Sequence, residues 1–184
     1  MKPKALIFDF DGTLAVLNID FDLMKQRVAA LAARSGLAAP FPEGYLLEAL
    51  DQAGASLGPG FKLAALELIQ SMEVRAAHRS NLFPFARPLL QNARAAGLKL
   101  AVITRNCGPA VRVLLPQIEG LVDAFIPREL AGRPKPHPDQ VLAACAALGC
   151  PPALAVMVGD HPTDMRAAVA AGAFALGVAS GRTP

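Results

Sequence analysis

The sequence predicts an α/β fold in which helices flank a parallel sheet and an all-helical segment follows the first strand. Short apolar runs bounded by turn residues are typical of buried parallel strands, and helical patterns separate those runs. The third observation is a long stretch, residues 16–82, that has helical patterns and no convincing strand. The expected architecture is a Rossmann-like parallel sheet with helices on both faces and an all-helical insertion after the first strand.

The predicted strands and helices of the core alternate along the chain. The strands are residues 4–10, 98–104, 122–126, 154–158 and, more weakly, 173–178. The helices are residues 86–96, 109–115, 138–148 and 162–171. The first, third and fourth of these helices are followed by glycine, which is a common helix C-cap. Strands and helices in this alternation predict a sheet covered on both faces.

The inserted segment contains three predicted helices, at residues 21–34, 43–53 and 61–79. Turn-rich pieces, residues 40–42 and 54–60, separate them. We therefore expect a discontinuous α/β core made of residues 1–15 and 83–184. Residues 16–82 form the expected all-helical insertion.

The composition restricts the class of protein. Of the 184 residues 53% are hydrophobic and 18% are charged, which disfavours disorder. The net charge is +3, but Lys and Arg are scattered and aromatic residues are few, so no nucleic-acid partner is expected. Neither a long uncharged apolar run nor a signal-peptide pattern is present, which predicts a cytoplasmic protein with no membrane partner. The oligomeric state stays open.

The strongest motif is Asp9-Phe-Asp11-Gly-Thr-Leu, which lies at the carboxyl end of the first predicted strand. Open α/β sheets bind ligands beyond the carboxyl ends of their strands. Residues two apart on an extended segment project to the same side, so the carboxylates of Asp9 and Asp11 repel each other unless a cation or a proton lies between them. Gly12 permits a tight turn.

A second pair of carboxylates, Asp160 and Asp164, follows the fourth predicted strand. Neighbouring parallel strands would bring Asp160 close to Asp9, and a cluster of carboxylate oxygens suits a hard cation such as Mg²⁺. Asp164 could instead be only a favourable charge at a helix N-terminus.

Two further segments offer groups that suit an anion. Thr104 ends the second predicted strand, where its hydroxyl and nearby backbone N–H groups can bind phosphate oxygens. Arg105 follows it and could add a phosphate contact or point into solvent. Lys135 lies in a proline-flanked loop before a helix, where its charge could offset that of two aspartates and a phosphate.

These four motifs, in this order, resemble those of the haloacid dehalogenase superfamily. The helical insertion resembles the cap of the branch that contains phosphoglycolate phosphatase and β-phosphoglucomutase. Asp11 favours phosphoryl chemistry, because the dehalogenases of the superfamily lack a matching second aspartate. Relatives usually continue beyond residue 181, whereas this chain stops at Pro184, which fits a compact member or a truncated product.

The resemblance implies a role for each residue. Asp9 is the nucleophile, Asp11 the general acid and base, and Lys135 a third catalytic residue that restrains Asp9. The metal set is Asp9, Asp11 (through its backbone carbonyl), Asp160 and Asp164, the last orienting the metal shell, with Mg²⁺ as the cofactor. The phosphate-binding set is Gly12, Thr13, Thr104, Arg105 and Lys135.

The expected function is that of a Mg²⁺-dependent phosphatase that hydrolyses a small phosphate ester, either phosphoglycolate-like or a sugar phosphate, through an aspartyl-phosphate. A phosphomutase of the β-phosphoglucomutase type is the first alternative. A non-catalytic binding protein on the same scaffold is the second, because a fold does not guarantee activity.

Overall fold

The computed structural model describes residues 2–130 and 132–179 and confirms the predicted α/β fold. In chain order the strands are β1 (Ala5–Phe8), β2 (Ala15–Val16), β3 (Asn81–Leu82), β4 (Lys99–Ile103), β5 (Ala124–Ile126), β6 (Ala155–Gly159) and β7 (Phe174–Gly177). The helices are α1 (Phe21–Arg34), α2 (Leu46–Leu57), α3 (Pro59–Ala77), α4 (Ala86–Ala95), α5 (Gly108–Leu114), α6 (Ile118–Leu121), α7 (Asp139–Ala147) and α8 (Pro162–Ala171). Short 3₁₀ turns span Arg128–Leu130 and Pro152–Leu154. The chain's end at Pro184 lies outside the described residues.

The main sheet has five parallel strands in the order β5-β4-β1-β6-β7, so β1 is central. Phe8 of β1 lies opposite Val102 of β4 on one side and opposite Val158 of β6 on the other. Because β1 is paired on both edges, the residues that follow it lie between those that follow β4 and β6. This arrangement gathers the predicted motifs at one edge of the sheet.

Both faces of the sheet are covered at its central strands β1, β4 and β6, which explains why these strands are largely apolar runs. Side chains alternate between the faces. Phe8 packs with Leu90 of α4 and Val111 of α5 in one cluster. Ile7 packs with helices α7 and α8 in the other.

Helices α1, α2 and α3, which we call the helical layer, pack around an apolar cluster of their own. Its buried members are Met24, Val28, Ala32, Leu50, Ala53, Phe61, Ala65 and Ile69. Helix α1 begins at its predicted residue, where the Asp20 side chain accepts a hydrogen bond from the Leu23 N–H at 2.8 Å. That this layer is a separate cap over residues 16–82 remains a prediction.

The prediction for the second inserted helix was wrong at both ends. Helix α2 begins at Leu46 instead of residue 43 and continues through the expected turn at Gly54 to Leu57. Gly54 is tolerated inside the helix because the neighbouring turns bury Leu50 and Ala53. The helix ends instead at Gly58, whose φ of +83° breaks the helical path.

Two short strands in the stretch that was expected to lack strands were also missed. Strands β2 and β3 form an antiparallel pair in which Ala15 lies opposite Leu82. Two-residue strands carry too little alternation to be detected in a sequence. The pair joins the points where the chain leaves β1 for the helical layer and where it returns to α4.

Among the described residues, no helix is both long and apolar enough to cross a membrane.

Candidate active site

Three carboxylates meet at the carboxyl ends of β1 and β6. Asp9 follows β1, and its backbone N–H donates to the Val158 carbonyl of β6 at 2.9 Å. Asp9, Asp160 and Asp164 each bring an oxygen within 4.8 Å of the others. The expected proximity of Asp160 to Asp9 is confirmed. Hard oxygen donors in this number fit a Mg²⁺ ion.

Lys135 is enclosed between two of these carboxylates. Its Nζ lies 2.5 Å from Asp9 Oδ1 and 2.5 Å from Asp164 Oδ1, and the residue is 2% exposed. Burial alone would lower the pKa of the ammonium, but the charges of Asp9 and Asp164 raise it. The ammonium therefore stays charged and balances only one of two negative charges, which leaves the site ready for a further cation.

Burial is also the largest influence on Asp9. Together with the nearby Asp164, it raises the pKa of this carboxyl to about 7, against the opposing effect of Lys135. Asp9 is 7% exposed. A carboxyl group with this pKa gains strongly from a bound divalent cation, which favours the ionised form.

Several hydrogen bonds fix the loop that carries Lys135. Its backbone N–H donates to the side-chain carbonyl of Gln140 at 3.3 Å, and its own carbonyl accepts from Arg105. Gln140 is fully buried and donates to the Thr104 carbonyl at 2.8 Å. The loop after β5 and the loop after β4 are thereby tied together, which fixes the position of the ammonium.

The turn after β1 approaches Asp160 closely. Gly12 has a φ of +84°, and a Cβ at this position would lie 2.1 Å from Asp160 Oδ2. Asp11 accepts a hydrogen bond from the Leu17 N–H at 2.9 Å. Thr13 is buried, and among the described residues its hydroxyl has no hydrogen-bond partner.

Asp164 has two structural partners. One oxygen contacts Lys135, and the other accepts from the His161 N–H at 3.0 Å. His161 in turn accepts from the Thr163 N–H, which completes a capping box at the start of α8. Asp164 therefore lies in the first turn of α8, as expected, but it also contacts Lys135, and its action on a metal shell stays a prediction.

The loop after β4 carries Thr104 and Arg105, whose side chains have different partners. Thr104 is fully buried, and its hydroxyl accepts from the Asn106 N–H at 3.1 Å. Arg105 donates to both carboxylate oxygens of Glu48 on α2, at 2.9 and 2.8 Å, and lies over the Tyr45 ring. A phosphate contact by Arg105 stays a prediction, since this side chain is already engaged by the helical layer.

The predicted site residues line one cavity of about 640 Å³, with Thr13 the exception. Those brought together are Asp9, Asp11, Gly12, Thr104, Arg105, Lys135, Asp160 and Asp164. Residues of the helical layer, among them Lys25 and Tyr45, complete the lining. The cavity therefore lies between the carboxyl edge of the sheet and the helical layer.

Sequence reasoning missed Glu73 and Arg128, which also line the cavity. Glu73 on α3 is 4% exposed and pairs with Arg128 at 2.6 Å. The sequence did contain a signal for Glu73, because this residue continues the four-residue spacing of the buried Ala65 and Ile69. A charged residue at such a position indicates a buried partner.

Comparisons with known proteins agree with this geometry. Residues 3–172 match the model of the haloacid dehalogenase-like hydrolase family. The chain belongs to this family. A haloacid dehalogenase-like hydrolase domain-containing protein of Arabidopsis thaliana is 30% identical, over 94% of this chain and 69% of its own length. The predicted resemblance and the prediction of a hydrolase are thus confirmed.

Two other proteins match most of the chain. Hexitol phosphatase A of Escherichia coli is 28% identical, over 97% of this chain and 84% of its own length. The crystal structure of CbbY from Rhodobacter sphaeroides in complex with phosphate shares 23% identity, with a TM-score of 0.66 over 94% of this chain and 84% of that one. The latter likeness establishes the shared fold.

Proposed function

We propose that this haloacid dehalogenase-like hydrolase is a Mg²⁺-dependent phosphatase that acts on a small phosphorylated metabolite through an aspartyl-phosphate on Asp9. The observation that carries the proposal is the contact of Lys135 with both Asp9 and Asp164 in the cavity that Asp160 lines. A carboxylate attacks an anionic phosphoryl group only where positive charge offsets the repulsion. The phosphatase name of the E. coli relative and the phosphate in the CbbY crystal support this choice.

The residues that would hold Mg²⁺ are Asp9, Asp160 and the backbone carbonyl of Asp11, with Asp164 orienting them. The three clustered carboxylates fit this ion in donor type and spacing. When bound, the ion would neutralise charge on the phosphoryl oxygens. Lys135 would hold Asp9 Oδ1 and leave its other oxygen for attack.

Two steps complete the reaction. In the first, an Asp9 carboxylate oxygen forms a bond to phosphorus while the ester P–O bond breaks, and the Asp11 carboxyl group gives its proton to the departing alcohol oxygen. In the second, Asp11, now ionised, takes a proton from water whose oxygen attacks the aspartyl-phosphate. Phosphate leaves and the Asp9 carboxylate returns. The hydrogen bond from the Leu17 N–H orients Asp11 for both transfers.

The helical layer serves as the cap in this proposal. Tyr45 and Glu48 at the start of α2 contact Arg105 of the core, and the Tyr45 ring also meets His161 edge-on at 5.9 Å between centroids. These contacts cross the cavity and would restrict the access of bulk water. The division into residues 16–82 as cap and the remainder as core rests on this arrangement.

Lys25 favours a substrate that has a second anionic group. It is half-buried on α1 and lines the cavity, and no carboxylate forms an ion pair with it in the part of the chain that the structure describes. The other cations of the lining, Lys135, Arg105 and Arg128, are all paired. Asp22, one turn earlier on α1, is the acidic residue nearest to Lys25 in the sequence, and it lines the same cavity. We infer a carboxylate at the far end of the substrate, as in phosphoglycolate-like esters.

The first experiment measures phosphate release from para-nitrophenyl phosphate with Mg²⁺ and with EDTA. We expect release that needs Mg²⁺ and disappears in Asp9→Asn. The matched control is Asp51→Asn, an exposed carboxylate paired with Lys62 on the surface, which should leave release unchanged. Release by Asp9→Asn at the normal rate would refute the nucleophile, and silence of the wild type on a broad panel of phosphate esters would refute the phosphatase.

A second experiment tests the substrate class. Lys25→Met should raise KM for phosphoglycolate by about tenfold or more, since a charge-assisted hydrogen bond is lost, while KM for para-nitrophenyl phosphate changes little. Lys99→Met, at the amino end of β4, is the control. Equal changes for both esters would contradict a second anionic group. Isomerised sugar phosphate without free phosphate would establish the phosphomutase instead.

A further inference from the structure

Glu73 is a buried carboxylate on an otherwise apolar helix face. It is 4% exposed, and its neighbours on the buried face of α3 are apolar: Phe61, Ala65, Ile69, Ala76 and Ala77. Burying a carboxylate is unfavourable unless a charged partner and hydrogen bonds compensate for the lost water. An apolar residue would pack here at lower cost, so a further role explains the carboxylate better.

Arg128 supplies the compensating charge. Its guanidinium donates to Glu73 Oε1 at 2.6 Å and to Oε2 at 3.0 Å, which is a two-pronged pairing. Arg128 lies in the 3₁₀ turn after β5, whereas Glu73 lies in the helical layer. The pair therefore joins the helical layer to the core beside the proposed active site.

The same two residues hold the loop after β4 at three successive positions. Glu73 Oε2 accepts from the Cys107 N–H at 3.1 Å. Arg128 donates from its side chain to the Arg105 carbonyl at 3.0 Å and from its backbone N–H to the Asn106 carbonyl at 3.2 Å. The loop between Thr104 and α5 is thus fixed through its backbone, while both members of the pair line the cavity.

We propose that Glu73 and Arg128 are positioning residues that set the shape of the phosphate-binding loop, residues 104–107. The proposal rests on the proposed function, in which Thr104 and this loop bind the transferring phosphoryl group. Glu73 acts through the loop, because its oxygens are occupied by Arg128 and Cys107 and not directed to a substrate. The helical layer thereby contributes to phosphate binding without touching the phosphoryl group.

The test compares Glu73→Gln with Glu67→Gln, an exposed glutamate on the same helix. Both proteins are loaded with Mg²⁺ and held well below their melting midpoints. Binding of inorganic phosphate is measured by calorimetry, and KM and kcat are measured with para-nitrophenyl phosphate. We expect Glu73→Gln to weaken phosphate binding and raise KM by at least about tenfold, with a smaller effect on kcat, and Glu67→Gln to match the wild type.

A double variant separates positioning from stability. Glu73→Gln combined with Arg128→Met removes the unpaired buried charge, so we expect it to regain thermal stability while phosphate binding stays weak. If Glu73→Gln lowers the melting midpoint but binds phosphate as the wild type does, the pair is only structural and the proposal is overturned. The same conclusion follows if the double variant regains both thermal stability and phosphate binding.

Hydrogen exchange of the backbone amides of residues 104–108 distinguishes failure of the positioning proposal from failure of the proposed function. We expect faster exchange at Cys107 in Glu73→Gln than in Glu67→Gln, whether or not the protein is a phosphatase. Unchanged exchange would overturn the positioning role. If the wild type neither binds inorganic phosphate nor releases it from para-nitrophenyl phosphate, the proposed function is refuted instead. This result needs no comparison with a variant.

Discussion

Gly12 lies at a turn where the structure leaves no room for a side chain. Its φ is +84°, and an added Cβ would lie 2.1 Å from Asp160 Oδ2 and 2.4 Å from Asp160 Cγ. Non-bonded heavy atoms are most stable at about 3.5–4.0 Å. In Gly12→Ala the Asp160 carboxylate therefore has to move by more than about 1 Å, which takes it out of its present place beside Asp9 and Asp164.

Two effects follow, and they have different sizes. The left-handed conformation should lower the free energy of unfolding by about 1–2 kcal/mol, because a Cβ is disfavoured there. The displaced carboxylate should weaken Mg²⁺ binding by about 10–100-fold or more, since even outer groups of a metal site have effects of this size. Phosphate release should fall in parallel when Mg²⁺ is limiting.

Gly58→Ala is a matched control for the first effect. Gly58 has nearly the same φ, +83°, but nothing lies within 4 Å of an added Cβ. We expect a loss of stability in urea unfolding, because a Cβ is disfavoured at this φ, and an unchanged Mg²⁺ titration. If Gly12→Ala binds Mg²⁺ as tightly as Gly58→Ala, the close approach of Gly12 to Asp160 is not what holds the carboxylate cluster in place.

Three more predictions concern charge. Lys135→Met leaves two buried carboxylates without their ammonium, so urea unfolding should show a loss of about 3–5 kcal/mol at pH 8. Because burial raises the pKa of Asp9 to about 7 and the loss of Lys135 removes the charge that lowers it, Asp9 is protonated at pH 5 in the variant and the loss should be smaller there than at pH 8; equal losses would contradict the pairing. For the same reason Mg²⁺ binding should displace a proton from Asp9 below about pH 7 and tighten as pH rises, which titration calorimetry in two buffers of different ionisation enthalpy measures. Burial would raise the pKa of Glu48, but the charge and hydrogen bonds of Arg105 outweigh burial and hold this pKa below its ordinary value. Because the pair is half-exposed, Glu48→Gln should lower the free energy of unfolding by at most about 1 kcal/mol at pH 7. That difference should shrink as pH falls from the ordinary glutamate pKa through the lowered pKa of Glu48, and a difference in thermal unfolding as large at pH 3 as at pH 7 would refute the pair's contribution.

Most of the core was predictable because its signals are local. A strand paired on both edges and covered on both faces must be apolar throughout, and residues 4–10 and 98–104 show this directly. The same reasoning placed Asp9 and Asp160 together, since parallel neighbours end at one edge of a sheet. The predicted helix ends that were wrong, at residues 43 and 53, lie in the helical layer. There the packing of Leu50 and Ala53 outweighs the low helix propensity of the glycine at position 54.

The contacts between the helical layer and the core were not predictable. The guanidinium of Arg105 pairs with Glu48, which lies 57 residues away in sequence, and the expected phosphate contact of Arg105 stays a prediction. Glu73 and Arg128 are 55 residues apart and belong to no motif. Neither pair leaves a periodic signal, because the partner of a long side chain depends on which surfaces meet.

The sequence by itself determined the α/β class, the order of the core strands and motifs along the chain, and the proximity of Asp9 and Asp160 at the carboxyl edge of the sheet. These follow from apolar runs and from turn residues that act within a few positions of each other. Only the tertiary structure decided that Lys135 joins Asp9 to Asp164 and that Glu73 and Arg128 hold the loop after β4. The physical reason is that a buried charge is stable only beside its partners, and packing, not local pattern, brings those partners together.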